Sequence, residues 1–304
     1  MNTYKLFFSN QSVEITNADK ILFPPAITKK QLIDYYAAVA ATMLPYLKDR
    51  PLMLQRFPDG ITNTGFYQKD ASDYFPLWIK RAQVPKEGGF NEYVLCQNKA
   101  TLIYLANQAC ITEHMWLSKI DKLSYPDRMI FDIDPANTSQ FSLVKKAALA
   151  LKHLLEHLEL KSFVMTTGSR GMHVVVPLIR KHEFKEVKEF ADKCAQLLVK
   201  QQPQELTVEF SKQKRGQRVF IDTLRNQYGA TSVAPYSVRA QPNAPVATPL
   251  FWHELNNPAL RAQSYTIESI QERLETLQDP WKGLKNQAQL LTKAQRILVN
   301  LQKS

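Results

Sequence analysis

Asp132 and Asp134 close a short apolar run, Met129-Ile-Phe-Asp-Ile-Asp-Pro135. In a strand, residues i and i+2 point to the same face, so both carboxylates project together. Two like charges about 4 Å apart repel by roughly 4 kcal/mol at an effective dielectric of about 20. A cation between them removes that repulsion, and Mg²⁺ or Mn²⁺ prefers carboxylate oxygens. Alone, the pair fits phosphatases, sugar transferases and polymerases. It equally fits a solvated strand end before a proline-containing turn. The phosphatase form with Thr or Val two residues after the second aspartate does not apply, because position 136 is Ala. Val219-Phe-Ile-Asp222 mirrors the first motif, an apolar strand ending in an aspartate. If the two strands are neighbours, Asp222 joins Asp132 and Asp134. Three carboxylates around two divalent cations suit phosphoryl transfer. On spacing alone, Asp222 also reads as an ordinary strand end before Asn226.

The opposite charge stands in Thr166-Thr-Gly-Ser-Arg-Gly-Met-His173. Hydroxyls, backbone N–H groups, an arginine and a histidine converge there, and the glycines allow close backbone approach. Such a turn can hold a triphosphate as a nest of donors. It is not a Walker loop: it lacks Gly-Lys-Ser/Thr and enters a strand. A plain hairpin and a structural histidine are the simpler reading. Arg239, in Ala234-Pro-Tyr-Ser-Val-Arg239, is a further phosphate ligand candidate. Lys212, Lys214, Arg215 and Arg218 precede Asp222, and Lys20, Lys29 and Lys30 lie near the N-terminus. Arg56 and Lys69 flank Phe66 and Tyr67. Adjacent aromatics beside cations suit stacking on a base, although they also suit a half-buried surface.

The formal net charge of +11, with a pI of about 9.4, favours a polyanionic partner, nucleic acid before anionic membrane. A hydrophobic content of 44% in 304 residues supplies an ample core. The N-terminus carries no apolar stretch of signal-peptide length, and no run approaches the roughly 18 residues of a membrane span. Cys96, Cys110 and Cys194 form neither a metal pattern nor a disulfide framework and read as core residues. These features point to a reducing cytoplasm, with a nucleoid association if the partner is DNA.

The elements that must position these groups follow from periodicity. Thr28 and Gln31 form a capping box, followed by Leu32, Tyr36, Val39, Met43 and Leu47 at helical spacing. Arg50-Pro51 ends that helix. The remainder of the first 95 or so residues reads as loop-rich, with a mobile loop over 81–100 around Pro85-Lys-Glu-Gly-Gly89. A helix is expected over 102–116, with His114 near its end. Then come a strand (129–134), a helix (about 141–158), strands at 163–167 and 172–177, a second helix (about 183–201), and strands at 206–210 and 218–223 around the basic loop 211–217. That order is the β-α-β-β-α-β split unit of ferredoxin-like and RNA-recognition folds, with both helices on one face of an antiparallel sheet. The tail from about 246 reads as helical and polar, behind Pro242-Asn-Ala-Pro245.

Together the motifs resemble the archaeo-eukaryotic primase superfamily, most closely the polymerase domain of bacterial DNA ligase D. Its three motifs match Phe131–Pro135, Thr167–His173 and Val219–Asp222. Thr16–Lys20, Arg50-Pro51, Arg56–Gly60, Gly65–Lys69, Glu113-His114, Pro126–Arg128 and Ala234–Arg239 agree as well. The resemblance implies an α+β fold with a primase-type core, a loop-rich α/β N-terminal part and a helical C-terminal tail. It implies one domain over 1–285, with an N-terminal DNA-end and template-binding part (1–100), a catalytic core (101–245) and a C-terminal part (246–285), and a helical tail (286–304).

It further implies a primase-polymerase that fills gaps and extends 3′ ends in non-homologous end joining, often preferring ribonucleotides. Two Mn²⁺ or Mg²⁺ ions would be held by Asp132, Asp134 and Asp222. His114, Thr167, Ser169, Arg170, His173 and Arg239 would contact the NTP or dNTP. A downstream 5′-phosphate would sit on Asn17, Lys20 and Lys29, and template or DNA on Arg56, Phe66, Tyr67, Lys69 and Arg215. The loops at about 83–92 and 211–217 resemble loops that bring DNA ends together. Expected partners are gapped or overhanging DNA, a Ku-type end-binding protein and a DNA ligase, and no membrane. Gln55 stands where relatives commonly carry lysine, which removes one cationic contact. No ligase or phosphoesterase segment accompanies the motifs, as in a stand-alone polymerase or an excised domain. The residues by themselves leave two other classes open: a metal-dependent nuclease or phosphatase, and a non-catalytic nucleic-acid-binding module.

Overall fold

The computed structural model describes residues 3–137 and 140–303. Strands β1 (Tyr4–Phe8), β2 (Gln11–Ile15), β3 (Ile21–Phe23) and β4 (Ile27–Thr28) lead into helix α1 (Lys29–Leu47). Strands β5 (Pro51–Arg56), β6 (Phe66–Gln68), β7 (Arg81–Lys86) and β8 (Gly89–Leu95) precede α2 (Lys99–Asn107) and β9 (Cys110–Trp116). The next stretch holds β10 (Arg128–Asp134), α3 (Phe141–His157), β11 (Phe163–Thr166), β12 (Met172–Pro177) and α4 (Phe184–Gln201). It continues with β13 (Leu206–Thr207), α5 (Lys212–Arg215) and β14 (Val219–Asp222). The chain finishes with β15 (Thr231–Val233), β16 (Thr248–Leu250), α6 (Ile270–Thr276) and α7 (Thr292–Lys303). Among the described residues, no helix is long and apolar enough to cross a membrane.

Contacts divide the chain into two compact units. The first comprises Met1–Asp121, Thr231–Ala247 and Tyr265–Leu277. The second comprises Lys122–Ala230, Thr248–Ser264 and Gln278–Ser304. These units do not follow divisions at 100 and 245, because β9 and β15 belong to one sheet although more than a hundred residues separate them.

In the first unit a sheet runs β15-β9-β5-β8-β7, with β6 added to β5. The capping box at α1 is present: the Thr28 hydroxyl accepts from the Gln31 amide, and the Gln31 side chain accepts from the Thr28 amide. Leu32, Tyr36, Val39, Met43 and Leu47 are all buried. Two expectations fail here. Residues 81–95 form the β7–β8 hairpin rather than a mobile loop, turning on Gly88 at φ 75° and Gly89 at φ 150°. Pro85 is tolerated because β7 is the edge strand and needs no outward amide partner. Residues 102–116 are not one helix. The Asn98 side chain accepts from the Thr101 amide and starts α2 early, and Ala109 at φ 53° breaks the chain into β9. All seven residues of β9 are buried. A strand buried on both faces shows no alternation, so its period is unreadable in sequence.

The second unit holds the expected split unit. Its sheet runs β13-β14-β10-β12-β11-β16. The β14-β10-β12-β11 core is antiparallel throughout. Phe141, Val144, Ala148, Leu151, Leu154 and Leu155 of α3 are buried, as are Phe184, Val187, Phe190, Cys194, Leu197 and Leu198 of α4. Both helices pack on β10 and on each other, so they lie on one face of the sheet. The expected strand 206–210 stops at Thr207, because the Thr207 hydroxyl accepts the Glu209 amide and turns the chain out of the ladder. Residues 212–215 of the expected basic loop form one helical turn, α5. The tail is helical in α6 and α7, but Thr248–Leu250 first joins the sheet beside β11. The three cysteines are buried free thiols, as the sequence implies.

Candidate active site

Strand register brings the charged residues of the second unit together. Asp132 of β10 stands opposite Asp222 of β14 on one side and opposite His173 of β12 on the other. Cross-strand partners share a face, so Asp132, Asp134, Asp222 and His173 all project from the same side. Met129, Phe131 and Ile133, of opposite parity, are fully buried. The apolar sides of α3 and α4 need an apolar surface, and that parity supplies it. The aspartates therefore face away from the helices.

The three carboxylates are not equivalent. Asp132 is 6% exposed. Burial opposes its ionisation, but His173, and Arg225 beside it, hold its pKa down at about 2. His173 Nε2 is 3.4 Å from Asp132 Oδ1, and Arg225 Nε is 3.4 Å from Oδ2. Asp134 is raised by burial and by Asp132, against the pull of Arg170, whose guanidinium is 3.8 Å away. Asp222 is raised by burial and by Asp132, although its Oδ1 accepts the Leu224 amide at 2.7 Å. Crowded carboxylates that resist ionisation are what a divalent cation reverses. Among the described residues, no three acidic, histidine or cysteine side chains already form a closed metal cluster. The fit rests on donor chemistry: acceptor-only oxygens on one face, repelling one another. Asp132, Asp134 and Asp222 are the residues that would hold the metal.

The hairpin between β11 and β12 lies against the end of β10. A Cβ on Gly171 would fall 2.1 Å from the Ile133 carbonyl oxygen and 3.1 Å from Asp134 Oδ1, so only glycine permits this approach. Gly168 takes φ 65°. The Thr167 hydroxyl is spent inside the turn, donating to the Gly171 carbonyl and accepting from the Ser169 and Gly171 amides. Arg170 is exposed, whereas His173 is buried and its Nδ1 has no hydrogen-bond partner. Arg215 stacks 3.6 Å over the Phe220 ring, and Phe220 stands opposite Asp134. Its guanidinium also donates to the Glu209 and Phe210 carbonyls.

Two residues that the sequence reading passed over matter here. Arg225 contacts Asp132, as above. Asn226 is fully buried; its Oδ1 accepts from the Ile130 amide at 2.8 Å and its Nδ2 donates to the Ile130 carbonyl at 2.7 Å. It continues the β10–β14 ladder with a side-chain amide where β14 has ended. The polar pair Arg225-Asn226, three and four residues after the strand-end Asp222, was the available signal. Asn226→Ala should cost about 2–5 kcal/mol, because buried backbone groups lose their partners. Denaturant unfolding checks this; an unchanged midpoint would remove Asn226 as the register pin.

The first unit carries the remaining candidates. Asn17, Lys20 and Lys29 are brought together: the Lys20 amide donates to the Asn17 carbonyl and the Lys29 amide to the Lys20 carbonyl. Lys20 pairs with Asp59 at 2.7 Å. Lys29 is buried, donates to the Asn107 carbonyl, and is lowered to about 8 by burial and by Lys20. Phe66 and Tyr67 are 46% and 57% exposed, an aromatic pair open to stacking, with Lys69 exposed beside them. Arg56, expected at the DNA, is instead buried; it donates to Gln108, Gln68 and Tyr74 and lies 5.4 Å over Phe66. It braces the aromatic pair. His114 stands in β9 opposite Met53 and Val233, with Tyr67 edge-on at 5.8 Å. Arg239 follows β15, its amide bonded to the Pro245 carbonyl.

The family described as "LigD, primase-polymerase domain" matches residues 28–281. The chain belongs to that family. The span of the LigD primase-polymerase match takes in the three aspartates, the Gly168–Gly171 hairpin, His114 and Arg239, and begins after Asn17 and Lys20. A multifunctional non-homologous end joining DNA repair protein LigD of Mycobacterium tuberculosis is 34% identical over 266 residues, 84% of this chain and 35% of that protein. The Pseudomonas aeruginosa LigD is 31% identical over 287 residues, 93% of this chain and 34% of that protein. The chain thus spans about a third of the length of these curated relatives. A solved polymerase domain from Mycobacterium tuberculosis ligase D, in complex with DNA, matches with a TM-score of 0.84 and 30% identity, covering 91% of this chain and 99% of that one.

Proposed function

We propose that this chain is a template-directed nucleotidyltransferase that fills gaps and extends DNA ends in non-homologous end joining, preferring ribonucleotides. The observation that carries it is the cross-strand row Asp222–Asp132–His173, with Asp134 and the donor-rich hairpin beside it. That row lies inside a match to the LigD primase-polymerase family, and the family's solved relative was captured with DNA.

In the reaction the primer 3′-hydroxyl attacks the nucleotide α-phosphate and pyrophosphate leaves. Two Mn²⁺ or Mg²⁺ ions on Asp132, Asp134 and Asp222 would supply hydroxyl activation and charge neutralisation. His173 and Arg225 hold Asp132 ionised and ready to ligate. The exposed Arg170 and the hairpin amides receive the triphosphate, while Thr167 keeps the turn in shape. His114, Ser169 and Arg239 complete the nucleotide contacts of this reading. Phe66 and Tyr67 stack on template bases, with Lys69 and Arg215 on the backbone. A Ku-type end-binding protein and a DNA ligase are the partners this activity needs, at the nucleoid in the cytoplasm.

A gapped substrate incubated with Mn²⁺ and either NTPs or dNTPs tests the reading on one gel. Extension supports it, shortening indicates a nuclease, and an unchanged substrate leaves a binding module.

Asn17, Lys20 and Lys29 form the 5′-phosphate pocket of this reading. Lys20→Ala should weaken binding to 5′-phosphorylated gaps about tenfold, the worth of one charge-assisted hydrogen bond. Lys29 loses its proton near pH 8, so the preference for phosphorylated gaps should fade as pH rises through that value. Equal loss by Lys20→Ala on gaps with and without the phosphate would count against the pocket.

A further inference from the structure

Glu113 sits in β9 with no exposure, and the reaction above does not use it. Its Oε2 is 2.7 Å from the Tyr36 hydroxyl of α1 and 2.7 Å from the Ser237 hydroxyl. Its Oε1 is buried without a hydrogen-bond partner. The Tyr36 oxygen is also 2.6 Å from the Ile111 carbonyl and accepts the Val238 amide at 3.1 Å.

Counting protons decides the state of this carboxyl. The Tyr36 hydroxyl carries one proton, which serves either Ile111 or Glu113 but not both. An ionised Glu113 would leave one short oxygen–oxygen contact without a proton, the Cys110 thiol beside it being only a weak donor. A carboxylic acid resolves this: Glu113 donates to Tyr36, and Tyr36 donates to the Ile111 carbonyl. The titratable neighbours are Tyr35 and Tyr36 from α1, Cys96 after β8 and Cys110 in β9, each raised first by burial. β5 presents Leu54 opposite, and its Arg56, which acts on Cys110, is engaged by Gln108, Gln68 and Tyr74. Among the described residues no cation acts on Glu113. Burial pushes it up to about 7, against the hydrogen bonds from Ser237 and Tyr36.

The same groups hold the segment that leads to Arg239. The Ala234 amide donates to the Glu113 carbonyl, the Glu113 amide to the Ser237 hydroxyl, and the Thr112 hydroxyl to the Val238 carbonyl. We propose that Glu113 is a positioning residue, held as a neutral acid, which fastens residues 234–238 to β9 and α1 and thereby sets where Arg239 stands. The inference rests on the reading that Arg239 contacts the nucleotide. The folded pKa of Glu113 exceeds its ordinary value of 4.5, so the stabilising contribution of the neutral acid is complete below that value and is lost as pH rises to about 7.

Amide exchange at residues 234–238 and nucleotide KM, followed from about pH 5 to about pH 8.5, test it in the whole chain. Glu113→Gln keeps the shape and supplies a permanent donor to Tyr36. The parent protein should lose Val238 protection as pH rises, corrected for intrinsic exchange, with KM rising about threefold or more and kcat changing less. Glu113→Gln should hold its low-pH protection and KM throughout. Tyr36→Phe, which leaves Glu113 in place, should expose the Val238 amide even at low pH. Parallel behaviour of Glu113→Gln and the parent overturns the proposal, as does unchanged protection in Tyr36→Phe. Protection that splits as expected without a KM split overturns the positioning role. If protection splits and neither protein binds nucleotide, the clamp stands and the polymerase reading falls.

Discussion

Asp132→Ala should extend a gapped primer–template at least about 10³-fold more slowly than the parent protein, while binding that DNA with near-parental affinity. A carboxylate that would hold the cations would supply several kcal/mol of charge stabilisation, and each 1.36 kcal/mol is about tenfold in rate. Asp132 is the central member of its row, between Asp222 and His173, and it alone of the three aspartates is held below the usual carboxylate range. DNA affinity should survive because it comes from the basic surface, and removing a carboxylate lowers repulsion of phosphate. Arg225 is 43% exposed, so it can turn to solvent when its partner is gone. The folded-state depression of Asp132 contributes stability above the normal aspartate pKa of about 3.8, lost as pH falls toward about 2. The variant should therefore lose part of the parent's stability at neutral pH and converge with it in strong acid. Extension and gel shift on the same substrate, with unfolding followed at both pH values, check this. Parental extension would remove the aspartate row from the mechanism.

Gly171→Ala should abolish most extension for a different reason. Its added Cβ would meet the Ile133 carbonyl oxygen at 2.1 Å, and backbone cannot swing aside as a flexible side chain can. Either the hairpin lifts away from β10 or β10 bends at Asp134. Such overpacking costs about 1–3 kcal/mol. A displacement of about 1 Å costs about 10²-fold in rate. The expected signature is a loss of nucleotide affinity larger than any loss of DNA affinity. Parental extension by Gly171→Ala would show that the hairpin's close approach to Asp134 is dispensable.

The helices were legible because their faces are amphipathic. Thr28 and Gln31 mark the start of α1, and every apolar position read for α3 and α4 is buried. β9 was not legible, because its seven buried residues show no alternation and its break at Ala109 uses neither glycine nor proline. The β7–β8 hairpin was hidden by Pro85, which speaks against a central strand and says nothing against an edge. Arg56 illustrates the same gap in the site. Its sequence neighbours suggested DNA, but the fold surrounds its guanidinium with Gln68, Tyr74 and Gln108.

The chain by itself determined that Asp132 and Asp134 share a face, because a strand repeats every two residues whatever it pairs with. It also determined the β-α-β-β-α-β order, through local periodicity. Only the tertiary structure decided that Asp222 and His173 flank Asp132, that Gly171 is pressed against Ile133, that Arg225 and Asn226 bond to β10, and that Glu113 is enclosed by Tyr36 and Ser237. Register between strands that lie 41 and 90 residues apart at Asp132 is set by which buried faces and backbone ladders match best across the sheet. That matching is a property of the folded whole, and no local window of residues contains it.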